Sequence, residues 1–271
     1  MYKQNLHIHT IYADGADTPE EVVLAAIAQG FDSIGFSEHS FMSFSSYPYQ
    51  LHTEDYKKYR DEVFSLKEKY KGTIDIFCGM EMELFSDLPE IKLDYLIGSV
   101  HYLDFSGKVL GFDRGLEPTL TYLNENFSGD GLKFAEKYFE TVASLPKKTD
   151  FDIIGHFDLL TKNNEKGKFI DTADKKYLVY GFEAIRSLKG KIPFFEVNTG
   201  AISRGYRTSP YPQTEFLKEF KNQGFGAVIT SDCHNKSYLD CYYKEARELL
   251  LSAGFKTIWK LTNDGFKETE I

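Results

Sequence analysis

Short apolar runs alternate with helical stretches along nearly the whole chain, and this alternation constrains the fold more than any other feature. Residues 2–9, 33–37, 74–80, 95–100, 151–155, 194–197 and 227–230 have the length and apolar character of buried strands. Helices are predicted over 19–29, 56–70, 132–145, 175–188, 213–223 and 239–253, with a last strand at 257–261. The first helix start has its parts in order: Thr18 as N-cap, Pro19 in the first turn, Glu21 to complete a capping box, and Gly30 as the stop. Such alternation calls for parallel strands joined by crossover helices. Seven or eight units close more readily into a barrel than they lie open, and 271 residues suit one α/β barrel, so 1–271 is read as a single domain. Neither GxGxxG nor GxxxxGK[ST] occurs, which removes the usual signature of a nucleotide-binding open sheet. Residues 104–131 are Gly-rich and predict an active-site loop insertion.

Composition narrows the function classes. A net charge of −9, with no Lys/Arg stripe, argues against a nucleic-acid partner held through its phosphates. Cys78, Cys233 and Cys241 are too few and scattered for a disulfide framework or a CxxC zinc clip, and suggest a reducing compartment. No run reaches the roughly 20 apolar residues of a membrane span, and the start MYKQNLHIHT lacks an apolar signal region. The expectation is a cytoplasmic protein that does not engage a membrane, with a monomer as the default. Aromatics make up 15% of the chain, which fits core filler or an aromatic-lined pocket.

The chemistry lies in where the histidines fall. Of seven, six stand at or just beyond the C-terminal end of a predicted strand: His7 and His9, then His39, His101, His156 and His234. All strand C-termini of a parallel barrel open on one face, where active sites sit, so these side chains should converge. Asp14, Glu81 and Asp232 share those positions. Residues i and i+2 of a strand point the same way, so His7 with His9, and Asp232 with His234, can each serve one centre. Imidazole with carboxylate suits zinc, manganese or iron(II). Nine such groups exceed the about four ligands of one zinc and suffice for two or three metals. Arg204 and Arg207 follow the strand ending at Asn198 and are candidate phosphate ligands on the same face, with Arg114 behind them. His52 reads as a loop histidine or as a contact on a loop over the site.

Taken together, His7-Ile8-His9 with Asp14-Gly15, Ser37-Glu38-His39, Gly79-Met80-Glu81, Gly98-Ser99-Val100-His101, Gly155-His156, Glu196-Val197-Asn198 and Ser231-Asp232-Cys233-His234 resemble the polymerase and histidinol phosphatase (PHP) family of metallophosphoesterases. The His101-Tyr102 pair and the segment from Glu196 to Gly200 look most like its stand-alone histidinol-phosphate phosphatases. The resemblance implies a distorted (β/α)7 barrel with three divalent metal ions, zinc first among them. It implies His7, His9, Glu81 and Asp232 on the first metal, a bridging Glu81 with His101 and His156 on the second, and Asp14, His39 and His234 on the third. The chain departs from a common form of the pattern in having Asp14 where many members carry histidine and Glu38 where many carry Asp.

The implied reaction is hydrolysis of L-histidinol phosphate to L-histidinol and phosphate, in histidine biosynthesis. Asp232 and His234 are the candidates for relaying a proton to the leaving oxygen. Glu83, Asp113, Glu117, Tyr102 and Phe112 are candidates for receiving the substrate's imidazole. Rival readings keep the metals and change the rest. Another phosphoesterase could take nucleotides, sugar phosphates or phosphotyrosine. The acidic charge weighs against a nuclease, and an amidohydrolase would often use a modified lysine where Glu81 stands. A closed, thiolate-rich structural zinc site does not match these donors.

Overall fold

The structure is a computed structural model that describes residues 2–45 and 47–271. Seven parallel strands run in the order β1 (Gln4–Asn5), β2 (Ser33–His39), β3 (Asp75–Glu83), β4 (Tyr95–Ser99), β7 (Ile153–Ile154), β8 (Phe194–Asn198) and β9 (Gly226–Thr230). An antiparallel hairpin, β5 (Tyr102–Phe105) and β6 (Lys108–Gly111), follows β4, and a second, β10 (Thr257–Thr262) and β11 (Gly265–Glu270), ends the chain. The helices are α1 (Pro19–Ala28), α2 (Tyr56–Lys69), α3 (Leu116–Phe127), α4 (Gly131–Val142), α5 (Asn164–Gly167), α6 (Lys175–Leu188), α7 (Gly200–Ser203), α8 (Thr214–Gln223) and α9 (Tyr243–Ser252). The capping box of α1 forms: the Glu21 amide donates to Thr18 Oγ1 and the Thr18 amide to Glu21 Oε2. None of the helices is long and apolar enough to cross a membrane, among the described residues.

Strand periodicity divides the side chains between two cores. Along β3, Ile76, Cys78, Met80 and Met82 face the helical layer, while Phe77 joins Leu6, Tyr95, Ile97, Ile153, Phe194 and Val228 inside the sheet. Sheet edges β1 and β9 meet at the mouth, where the His9 amide donates to the Cys233 carbonyl (2.8 Å) and the Cys233 amide to the His7 carbonyl (2.9 Å). A nearly closed barrel results. The β10–β11 hairpin covers the opposite end: Leu261, Trp259 and Phe266 pack on the interior cluster. Gln4 clamps it there through its side-chain amide, donating to the Leu261 carbonyl at 2.9 Å and accepting from the Leu261 amide at 2.8 Å.

Tyr95 fills the middle of the barrel. Its hydroxyl donates toward the Leu6 carbonyl (2.5 Å) and lies 3.1 Å from that of Phe36. Gly35 and Gly79 make the room: an added Cβ would lie 2.5 Å from the phenol oxygen at Gly35 and 2.3 Å from the ring at Gly79. Above this floor the next inward positions on β3 are Glu81 and Glu83, so the interior turns from aromatic to carboxylate toward the mouth.

The insertion expected at 104–131 is folded: it holds the end of the β5–β6 hairpin and helix α3. The hairpin turns at Ser106 and Gly107, both at positive φ, where Asp104 Oδ1 accepts from the Gly107 amide at 2.7 Å. The first strand is shorter in ladder extent than the expected 2–9: past Asn5 the Tyr95 hydroxyl takes the Leu6 carbonyl, and Ile8 keeps one bond from the Ser37 amide (2.9 Å) while bridging to Cys233.

Candidate metal centre

The six strand-end histidines reach one mouth from five pieces of barrel, His7 and His9 together from the segment after β1. His39 and Glu81 stand on β2 and β3 themselves; His101, His156, Asp232 and His234 lie two to four residues past β4, β7 and β9. Asp14 is returned by a turn in which the Gly15 amide donates to the Thr10 carbonyl (2.9 Å) and the Ala16 amide to the His234 carbonyl (2.8 Å). Gly15 is obligatory there, since a Cβ would lie 2.3 Å from the His9 carbonyl oxygen.

The donor atoms fall into three groups, each with its atoms within 4.8 Å of one another: His7, His9 and Asp232; Glu81, His101 and His156; and His9, Asp14, His39 and His234. Glu81 lies between the first two. Its Oε1 is 2.8 Å from His156 Nε2 and 3.5 Å from His101 Nε2, while its Oε2 is 3.4 Å from His7 Nε2 and 3.6 Å from His9 Nε2. Asp232 Oδ1 is 3.4 Å from His9 Nε2 and 3.7 Å from His7 Nε2. In the third group Asp14 Oδ1 is 3.2 Å from His234 Nε2 and 3.6 Å from His39 Nε2. All nine predicted ligands are thus brought together. Two contacts differ from expectation: His9 also turns Nδ1 toward Asp14, at 3.9 Å, and His39 Nδ1 lies 2.7 Å from Glu81 Oε2.

The donor set fits divalent cations. His7 Nε2, both His9 nitrogens, Asp14 Oδ1, Glu81 Oε2 and His156 Nδ1 are buried and make no hydrogen bond within the protein. Buried polar atoms normally find partners, and a cluster of lone pairs facing one another is costly unless a cation lies among them. Electrostatics agree. Burial, with His39 and His234 beside it, pushes His9 down to about 3, leaving a neutral ligand. Burial opposes ionisation of Asp232, yet Arg204 and His7 hold its carboxyl well below the usual range. Asp232 is held at φ 45, a left-handed conformation that costs on the order of 1–3 kcal/mol in a non-glycine residue and collects at functional sites.

A cavity of about 420 Å³ opens beside these groups. Its far wall is Tyr47, Tyr102, Asp113, Arg114, Lys162 and Tyr206. Lys162 pairs with Asp113 Oδ2 at 3.0 Å, and the Arg114 guanidinium stacks on Tyr47 at 4.9 Å. Arg204 also lines the cavity and pairs with Asp232 Oδ2 at 2.8 Å. Arg207 does not line it. Gly205, at φ 71, reverses the chain after α7, and Arg207 is committed to the Thr161 hydroxyl and the face of Tyr211, 4.3 Å away.

Of the candidates for the substrate's imidazole, Tyr102, Asp113 and Glu83 line the cavity. Phe112 is in the core against Phe134 and Tyr138, and Glu117 is not on the wall. His52 is exposed and away from the cavity. Sequence reasoning missed Lys162 and Tyr206. It also missed the second role of Glu83, whose Oε2 accepts from the His101 amide (2.6 Å) and from His101 Nδ1 (3.1 Å). A polar residue six positions beyond His156 was the one available signal for Lys162.

A parallel barrel with histidines and carboxylates converging at its C-terminal mouth is the architecture of a metal-dependent hydrolase. Residues 5–188 match the model of the PHP domain, and the chain belongs to the PHP family. It is similar to the histidinol-phosphatase of Lactococcus lactis, at 28% identity over 94% of this chain and 93% of that one. The histidinol-phosphatase of Bacillus subtilis is likewise 28% identical, over 86% of this chain and 94% of its own. The fold matches the crystal structure of a Lactococcus lactis histidinol phosphate phosphatase complexed with zinc, L-histidinol and phosphate, with a TM-score of 0.73, 22% identity and 98% of both chains covered.

Proposed function

We propose that this chain is a metal-dependent histidinol-phosphate phosphatase, hydrolysing L-histidinol phosphate to L-histidinol and phosphate in histidine biosynthesis. The observation that carries the reading is Glu81, with one oxygen turned to each of two histidine groups in a family whose similar members are histidinol-phosphatases. His7, His9, Glu81 and Asp232 would hold one divalent ion, Glu81, His101 and His156 a second, and Asp14, His39 and His234 a third. Zinc is the first choice, as in the Lactococcus complex, with manganese or iron(II) compatible with the same donors. When bound, such ions lower the pKa of water and offset charge on a phosphoryl group.

The chain's own residues supply the rest. Arg204 presents a guanidinium to the cavity as the phosphate reader. Asp232 and His234 flank the same opening and remain the candidates for relaying a proton to the leaving oxygen, with Arg204 pairing Asp232 and lying 2.6 Å from His234 Nδ1. The wall offers Tyr47 and Tyr102 to a flat ring, and Asp113, which also pairs with Lys162, as a carboxylate for its charge. The reading is of a cytoplasmic monomer acting on a small ester and not on nucleic acid; three unpaired thiols suit a reducing compartment. The test is phosphate release from L-histidinol phosphate before and after chelation. Activity should vanish with the metals and return with zinc; full activity in a metal-free sample would contradict the reading.

A further inference from the structure

Glu196 is fully buried, lies in none of the three donor groups and does not line the cavity. Yet both its oxygens are saturated. Oε2 accepts from His7 Nδ1 (2.9 Å) and from the Thr230 hydroxyl (2.8 Å). Oε1 accepts from the His156 backbone amide (2.7 Å) and from Asn198 Nδ2 (2.8 Å). One side chain on β8 therefore ties together the segment after β1, the segment after β7, and β9. It reaches the side chain of one donor group and the backbone of another.

A carboxylate can only accept, so His7 Nδ1 carries a proton and Nε2 is the nitrogen left to face Glu81 and Asp232. The same carboxylate fixes where the chain leaves β7 and hence where the His156 ring stands. We infer that Glu196 is a positioning residue which presets the His7 tautomer and the His156 backbone, so that two of the donor groups are formed before a cation arrives. This rests on the metal-binding part of the function proposed above.

Glu196→Gln is the informative change. Its size is conserved, but one end of the amide can no longer accept. If the amide nitrogen takes the place of Oε2, His7 must carry its proton on Nε2, the atom facing the donor group. If it takes the place of Oε1, the His156 amide loses its acceptor. Partners of this kind typically set metal affinity by about 10–100-fold. Zinc dissociation constants of wild type and Glu196→Gln, measured by competition with a chromophoric chelator, should differ by about that factor. A merely structural Glu196 would lower the unfolding temperature and leave the zinc constants of the folded protein unchanged, and that result overturns the inference.

A second measurement needs no variant. In ¹⁵N-histidine-labelled, metal-free wild type, at a pH where the imidazoles are neutral, His7 should show its proton on Nδ1; a proton on Nε2 overturns the inference even if Glu196→Gln does not fold. Neither readout depends on the ester hydrolysed. Zinc binding with the expected Glu196→Gln loss, but no turnover of histidinol phosphate, would sink the substrate assignment and support this inference. Wild type that binds no zinc would overturn both.

Discussion

Glu81 Oε1 lies 2.8 Å from His156 Nε2, while the other oxygen of the same carboxylate faces His7, His9 and His39. Removing it strips a ligand from two groups at once. Glu81→Ala should therefore bind fewer zinc ions per chain than wild type and lose activity by at least about 10³-fold, as expected where metal supplies most of the catalysis. Metal analysis beside a phosphate-release assay checks this; near wild-type activity would contradict the shared-ligand arrangement.

Arg204 and Arg207, three residues apart, should behave oppositely. Arg204 faces the cavity, and a charge-assisted contact to phosphate is worth about 1.5–3 kcal/mol, so Arg204→Ala should raise KM by about tenfold or more. Arg207→Ala should leave KM unchanged. It should instead lower stability by about 1–3 kcal/mol, because the Thr161 and Tyr211 contacts are buried in the fold. Steady-state kinetics and urea unfolding on both variants separate the two roles; a KM effect confined to Arg207→Ala would reverse the assignment.

The floor beneath the donor groups can be tested without touching them. Tyr95→Phe leaves the carbonyls of Leu6 and Phe36 without their buried donor and should cost about 1–3 kcal/mol. Gly79→Ala should cost more, because its methyl would enter the Tyr95 ring. Denaturant midpoints give both values, and a Gly79→Ala protein as stable as wild type would mean that the ring is not where it is described.

Burial of phenols and thiols predicts a loss of stability in alkali. Burial holds Tyr59, Tyr95, Tyr138, Tyr177 and Tyr243 well above the ordinary phenol value and pushes Cys78 and Cys233 up to about 12. A raised folded-state value favours the neutral form in the fold. Its contribution is whole below the unfolded-state pKa, about 8.5 for Cys and about 10 for Tyr, and is lost as pH rises toward the folded value. The urea midpoint of metal-free protein should be steady near neutrality and fall between about pH 8.5 and pH 11. At neutral pH a thiol reagent should label Cys241, the half-buried thiol, far faster than the other two. Fast labelling of all three would mean the core is open.

Much of this was legible in the chain because strand ends in a parallel barrel share one face. Periodicity located the barrel strands and most of the helices, and with them the convergence of His7, His9, His39, His101, His156 and His234. What stayed hidden depends on contacts between distant segments. Nothing local to Arg207 says that Gly205 turns it from the cavity, and nothing local to Glu196 says that it holds His7 and the His156 amide. The β10–β11 hairpin was half seen because β11, residues Gly265–Glu270, is mostly polar and faces solvent on one side. Residues 104–131 read as a loop insertion because a short hairpin followed by one helix breaks the strand–helix rhythm that marks the rest.

The most direct test of the central claim is the specificity of zinc-loaded protein. Phosphate release from L-histidinol phosphate should be compared, by kcat/KM, with release from nucleotides, sugar phosphates and phosphotyrosine. A strong preference for L-histidinol phosphate is the predicted result. Equal turnover across the panel, or a preference for another ester, would contradict the substrate proposed here and leave a PHP phosphoesterase of different specificity.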